Sequence, residues 1–240
     1  MVFAMVGVSL SMLVVLSLFV LATFITWTLP WVDVEELAAE NSLEILTKGW
    51  KIVAKQRNLN TLLVAHSLEI FANTIWVSSV ILVFVTKILH QTESYWRYTN
   101  ATYSVGIILG GFLLYRFSEK VLQYKWQSII VSLLLMEVIT FLIVKLPFAG
   151  CFLVLSASIG FVSQLKEIAE SVLIQEAVPD NKLVNVYSVF EVMSTLAFAI
   201  FTFIMSSITD NFGVVTIFEL AIVCLFLEAL WIFSNRRYLY

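Results

Sequence analysis

Seven long apolar stretches fill this chain, at about 2–28, 59–88, 99–116, 127–146, 149–175, 185–208 and 213–235. Each is close to the roughly 20 residues a helix needs to cross a bilayer core. Hydrophobic residues make up 60% of the chain and charged residues 13%, against roughly 45–50% and about 25% in soluble domains. A water-soluble fold of this length has no core large enough to hide so much apolar surface. The runs are continuous rather than alternating, which excludes a β-barrel. The expected fold class is therefore all-α transmembrane, with about seven spanning helices.

Charge placement says more than the net charge of −3. One set of connections carries Lys48, Lys51, Lys55, Arg57, Arg116, Lys120, Lys125, Lys182, Arg236 and Arg237, and the opposite set carries Lys87, Arg97 and Lys145. Basic residues stay on the cytoplasmic side. The expected location is the cell membrane, multi-pass, with the N-terminus outside and the C-terminus cytoplasmic. The stretch 2–28 has no basic leader and no small-residue cleavage site before Pro30, so it reads as a membrane helix rather than a signal peptide. No basic patch with interleaved aromatics suggests nucleic acid. Cys151 and Cys224 lie inside apolar runs, and His66 and His90 belong to no Cys/His cluster. Neither a metal nor another cofactor is expected. No Ser/Lys, His/Glu or paired-Asp constellation suggests an enzyme.

The one long connection, 29–58, holds Asp33, Glu35, Glu36, Glu40 and Glu44, then Lys48, Lys51, Lys55 and Arg57. Leu43, Leu46, Trp50 and Val53 recur in it at helical spacing. It reads either as an amphipathic helix on the membrane surface or as a solvated linker helix. Gly106 and Gly110 form a G-x-x-x-G, a signal for close helix approach.

Ionisable groups at membrane depth are costly and point to function. His66, Glu69, Asn73 and Trp76 fall within one arc of about 80° on an otherwise aliphatic helix. Such a stripe faces protein or water, either as a proton or cation site or as an interhelical hydrogen-bond clamp. Tyr187, Ser188, Glu191, Ser194 and Thr195 share one side of the sixth stretch, where Glu191 reads as lining a cavity or reaching the headgroups. Lys166 and Glu170, spaced i,i+4, read as an ion pair on one helix face. Glu137, Glu219 and Glu228 have few polar companions on their own helices.

Two segments carry a resemblance to a known family. Gly111-Phe112-Leu113-Leu114-Tyr115-Arg116-Phe117-Ser118-Glu119-Lys120 is similar to the G-x-x-x-D-R-x-G-R-R cytoplasmic loop of the major facilitator superfamily, with Gly111, Arg116 and Lys120 retained in kind. Gln175-Glu176-Ala177-Val178-Pro179-Asp180 resembles the end of the tenth helix in efflux members, although Val184-Asn185 stands where they have Gly-Arg. With a long charged segment before six helices, the chain resembles the C-terminal half of such a transporter, most like the drug and macrolide efflux branch.

The resemblance implies three regions. Residues 1–28 would be the last helix of an N-terminal bundle, 29–58 the cytoplasmic inter-bundle loop, and 59–240 a six-helix C-terminal bundle. The implied function is proton-coupled efflux of a hydrophobic or cationic small molecule, with Glu69 handling the proton, His66, Asn73 and Trp76 shaping the site, and Glu191 lining the path. The twelfth helix of the family faces lipid, which places Glu228 away from that path. Alternating access needs two bundles, so the implied partners are the lipid bilayer, the substrate, and a separate N-terminal bundle or a second copy. The competing reading is a non-transporting membrane protein, an interaction partner or a decayed transporter fragment. A seven-helix retinal protein is argued against by the absence of a lysine in 213–235.

Overall fold

The computed structural model of the chain describes residues 8–28 and 41–239, with the side chains of residues 8–11, 78 and 117–122 left aside. The acidic run Asp33, Glu35, Glu36 and Glu40 lies outside the described residues. The chain divides into two compact units, Met1–Asn41 and Ser42–Tyr240. In the first, α1 covers Val8–Trp27. Its residues are apolar on every side, as suits a helix surrounded by lipid.

The second unit holds α2 (Ser42–Lys55), α3 (Arg57–Asn73), α4 (Ser78–Lys87), α5 (Tyr95–Gln123), α6 (Lys125–Lys145), α7 (Ala149–Ala177), α8 (Asp180–Phe212) and α9 (Val214–Asn235). Four of them, α6 to α9, are each long and apolar enough to cross a bilayer, and α3 with α4 would make a fifth span as a bent pair. The chain is a multi-pass, all-α membrane protein. Large apolar side chains stand exposed along these helices, such as Val131, Leu135 and Val138 on α6 and Leu196, Phe203 and Ile204 on α8. In water a surface of this kind would drive association, whereas lipid tails solvate it.

The stretch expected as one helix over 59–88 is broken. It starts at Arg57, ends its first part at Asn73, passes through a 3₁₀ turn at Thr74–Trp76, and resumes at Ser78 with a 46° bend. Val77 is extended, with φ −62° and ψ 136°. Neither Pro nor Gly causes this. At the break the Thr74 hydroxyl donates to the Phe71 carbonyl at 2.6 Å, a local bond of the kind that accompanies helix bends.

The segment Gly111–Lys120 is also corrected. It is no loop: α5 runs unbroken through it to Gln123, and only Tyr124 separates α5 from α6. After Gly111 there is no Gly or Pro to stop the helix. Arg116 is exposed and Gly111 half-buried on that helix, while the Lys120 side chain lies outside the described residues.

Small residues set the closest packing. A Cβ on Gly106 would stand 1.9 Å from the Ala157 carbonyl oxygen, and one on Gly160 would stand 2.2 Å from that of Tyr103. The α5 and α7 backbones therefore touch through reciprocal glycines, and Gly110 extends the seam to Phe161. Phe84, Phe152 and Phe218 meet at the centre of the core, with ring centroids 4.7–5.3 Å apart. Gly213 joins α8 to α9 at φ 86°, a conformation that only glycine adopts cheaply.

From Ser42 onward the charged segment packs with the helices that follow it. Gly49 and Val53 are buried, and a Cβ on Gly49 would come within 2.0 Å of the Asn185 carbonyl oxygen on α8. Asn185 Nδ2 donates to the Ile45 carbonyl at 3.3 Å. Leu43 and Trp50 remain exposed. The protein-facing side of α2 thus differs from the stripe read by spacing, with Gly49 as its centre.

Basic residues gather at one end of the bundle. Arg57 donates to the Tyr238 hydroxyl at 2.5 Å, Lys125 pairs with Glu176, and Arg236 lies over the Trp126 ring, 5.8 Å from its centroid.

Candidate functional site

Two helical repeats and one tertiary approach build a buried ion cluster. On α3, His66 and Glu69 lie one turn apart, with His66 Nδ1 3.6 Å from Glu69 Oε2. On α7, Lys166 and Glu170 are spaced i,i+4, and the Lys166 ammonium donates to Glu170 Oε1 at 2.7 Å. The same ammonium donates to Glu69 Oε2 at 2.7 Å. From α9, Glu228 places Oε1 3.0 Å from Lys166 Nζ. Lys166 and Glu228 are both 0% exposed.

A lysine is so fully buried only when its charge is matched. Here the match comes from three helices that are distant in sequence. Removing any one partner leaves the others with a changed charge balance in a low-dielectric interior.

The cluster opens on one side to a cavity of about 950 Å³. His66 and Glu170 belong both to the cluster and to the cavity wall. Further wall residues include Ser42, Leu43, Ile45 and Leu46 on α2, Glu167, Ser171 and Ile174 on α7, and Tyr187, Ser188, Phe190, Glu191 and Ser194 on α8. His66 Nε2 is 2.8 Å from the Ser194 hydroxyl, and Phe190 lies 5.7 Å from the imidazole between centroids. The wall is largely aliphatic and aromatic, and its charged side chains are carboxylates: Glu167, Glu170 and Glu191. No Lys or Arg is among its described residues.

The structure therefore joins His66 to Glu69 and brings Glu191 to the same cavity, although Glu191 is exposed and outside the cluster. Asn73 and Trp76 separate from them. Asn73 ends α3 and is exposed, while Trp76, beyond the break, stacks on Tyr103 with centroids 5.7 Å apart. The turn at Thr74–Trp76 shifts residues after Asn73 off the helical stripe. On α8, Tyr187, Ser188 and Ser194 line the cavity with Glu191, and Thr195 does not. Lys166 and Glu170 do form the expected pair, but Lys166 also binds partners on two other helices.

Glu228 corrects the sequence reading. It points inward to Lys166 rather than toward lipid. Its own helix offers no polar companion because its partner stands on α7. Glu219 is exposed and Glu137 half-buried. A lone acid in an apolar stretch together with a lone lysine in another was the available signal.

His66, Glu69 and Glu170 have ligand atoms within 4.8 Å of one another, close enough to hold a metal ion. The Lys166 ammonium already bonds two of these carboxylates, so a metal would have to displace a tethered cation.

No protein-family model matches the chain. It is 25% identical over 198 residues to the uncharacterized MFS-type transporter YfmI of Bacillus subtilis strain 168, covering 80% of this chain and 48% of that protein. It is 26% identical over 182 residues to the uncharacterized MFS-type transporter YjbB of the same organism, covering 76% of this chain and 45% of that protein. The chain spans about half the length of these curated relatives. Both relatives are described as transporters rather than enzymes.

Proposed function

We propose that the chain works as part of an MFS-type secondary transporter that exports a lipophilic cation in exchange for protons. One observation carries this reading: a largely apolar cavity of about 950 Å³ has three carboxylates and no Lys or Arg among its described wall residues, and meets a buried ion cluster at His66 and Glu170. An organic cation with an apolar body suits such a wall, since aromatic and aliphatic surface takes the body and Glu167, Glu170 and Glu191 take the charge. Glu69, held between His66 and Lys166, is the acid whose proton changes with transport. The similarity to MFS-type transporters supports the class of protein.

In this reading the protein sits in the cell membrane with its C-terminus in the cytoplasm, where the clustered basic residues belong. A second bundle closes the other side of the cavity.

The test uses tetraphenylphosphonium as probe and calorimetric titration of the purified full chain in lipid nanodiscs. Binding is expected, with affinity falling about threefold or more in Glu191→Gln as one wall charge is removed. Absence of binding, or equal affinity in the variant, would overturn the lipophilic-cation reading.

A further inference from the structure

Glu228 is the least satisfied member of the ion cluster. Its Oε1 is 3.0 Å from Lys166 Nζ, longer than the 2.7 Å bonds that the same ammonium makes to Glu69 and Glu170, and neither of its oxygens has a well-aligned hydrogen bond. Its Oε2 has no partner in an environment that leaves the side chain 0% exposed. The groups facing it are Lys166 and Glu170 from α7, Glu69 from α3, and Cys224 one turn earlier on α9. Among the described residues no ion pair joins it to α4, α6 or α8.

Charge counting then decides the chemistry. Three carboxylates share one ammonium, and even a protonated His66 would leave three negative charges against two positive. An uncompensated carboxylate in such a place costs several kcal/mol, so the cluster must hold one further positive charge. A metal ion would have to displace the Lys166 ammonium that already bonds Glu69 and Glu170. A proton needs only a carboxylate oxygen.

We infer that Glu228 holds a proton, and that Lys166 relays it to the cavity-facing Glu170. The ammonium gives one N–H proton to Glu170 Oε1, which it already bonds at 2.7 Å, breaking an N–H bond and forming an O–H bond. The Nζ lone pair then takes the Glu228 proton, so lysine ends as ammonium, Glu228 as carboxylate and the cavity-side acid as neutral. One proton has moved from a closed acid to an open one with no change in total charge. Its use in transport rests on the proposed proton-coupled cavity, but the proton itself is measured apart from transport.

The experiment is infrared difference spectroscopy on the full chain in lipid at neutral pH, reading the carbonyl stretch of a protonated carboxylic acid and its downshift on transfer to D₂O. The band is expected in the wild type, lost in Glu228→Gln, moved in frequency in Glu228→Asp, and retained in Glu219→Gln. In Lys166→Arg the charge stays but the side chain cannot release a proton. The band should then persist and its deuterium exchange slow by about a hundredfold.

A missing band in the wild type, or one indifferent to both Glu228 variants, overturns the proton on Glu228. Unchanged exchange in Lys166→Arg overturns the relay. Tetraphenylphosphonium binding separates the two readings: loss of binding with the band intact sinks only the transport reading, and binding without the band sinks only this one.

Discussion

Lys166 is the residue on which the interior charge balance turns. Its ammonium is the hub for Glu69, Glu170 and Glu228, and among the described residues no other cation pairs with Glu228. Lys166→Met leaves Glu69 and Glu170 as carboxylates beside the Glu228 acid with no ammonium among them. Breaking a buried ion pair from one side costs about 3–5 kcal/mol, so the variant should unfold in detergent at a clearly lower temperature than the wild type. Neutralising the acids in the same variant, by Glu69→Gln, Glu170→Gln and Glu228→Gln together, should recover most of that loss, because a fully neutral interior carries no unpaired charge. Equal thermal stability of Lys166→Met and wild type would show that the cluster is not held by charge.

At the scale of elements, backbone approach sets the geometry of the cluster. α7 carries Lys166 and Glu170, and its position is fixed by the Gly106–Gly160 seam with α5. Gly106→Ala pushes a methyl group into the Ala157 carbonyl at 1.9 Å. Overpacking of this kind costs about 1–3 kcal/mol, and here neither contacting atom is the tip of a flexible side chain. Gly111, five residues on, has nothing within 4 Å of its added Cβ, so Gly111→Ala should be neutral or stabilising by about 0.5–1 kcal/mol. Thermal unfolding of the two variants side by side checks this. A Gly106→Ala protein as stable as Gly111→Ala would mean the helices are free to separate at that seam. The bend between α3 and α4 works at the same scale, since it detaches Trp76 from the stripe that His66 and Glu69 begin.

For the whole molecule, the organising fact is that its two ends differ in charge. Arg57, Lys125 and Arg236 meet their partners at one end, while Lys145 closes α6 at the other. Single cysteines introduced into a variant with Cys151 and Cys224 replaced by Ala should report this in intact cells. Lys182→Cys and Arg237→Cys should resist a membrane-impermeant maleimide, and Lys145→Cys should react. Labelling of the first pair from outside would reverse the proposed orientation. The apolar belts of α6, α8 and α9 make the bilayer the solvent of this fold, so unfolding midpoints should fall when lipid is exchanged for short-chain detergent.

Sequence alone determined the class of the protein, because continuous apolar length and alternating charge between spans are properties of composition along a line. It also determined which residues share a face of one helix: His66 with Glu69, Lys166 with Glu170, and the Gly106–Gly110 seam. Periodicity along one helix carries no information about which face meets which. The tertiary structure alone decided that Glu228 joins Lys166 and that α2 docks through Gly49. It also decided that Trp76 leaves the stripe, since the helix breaks after Asn73 without any proline or glycine to announce it. Burial is the physical reason for the difference. A charge inside the membrane has to find its partner across the bundle, and that partner is set by packing rather than by spacing.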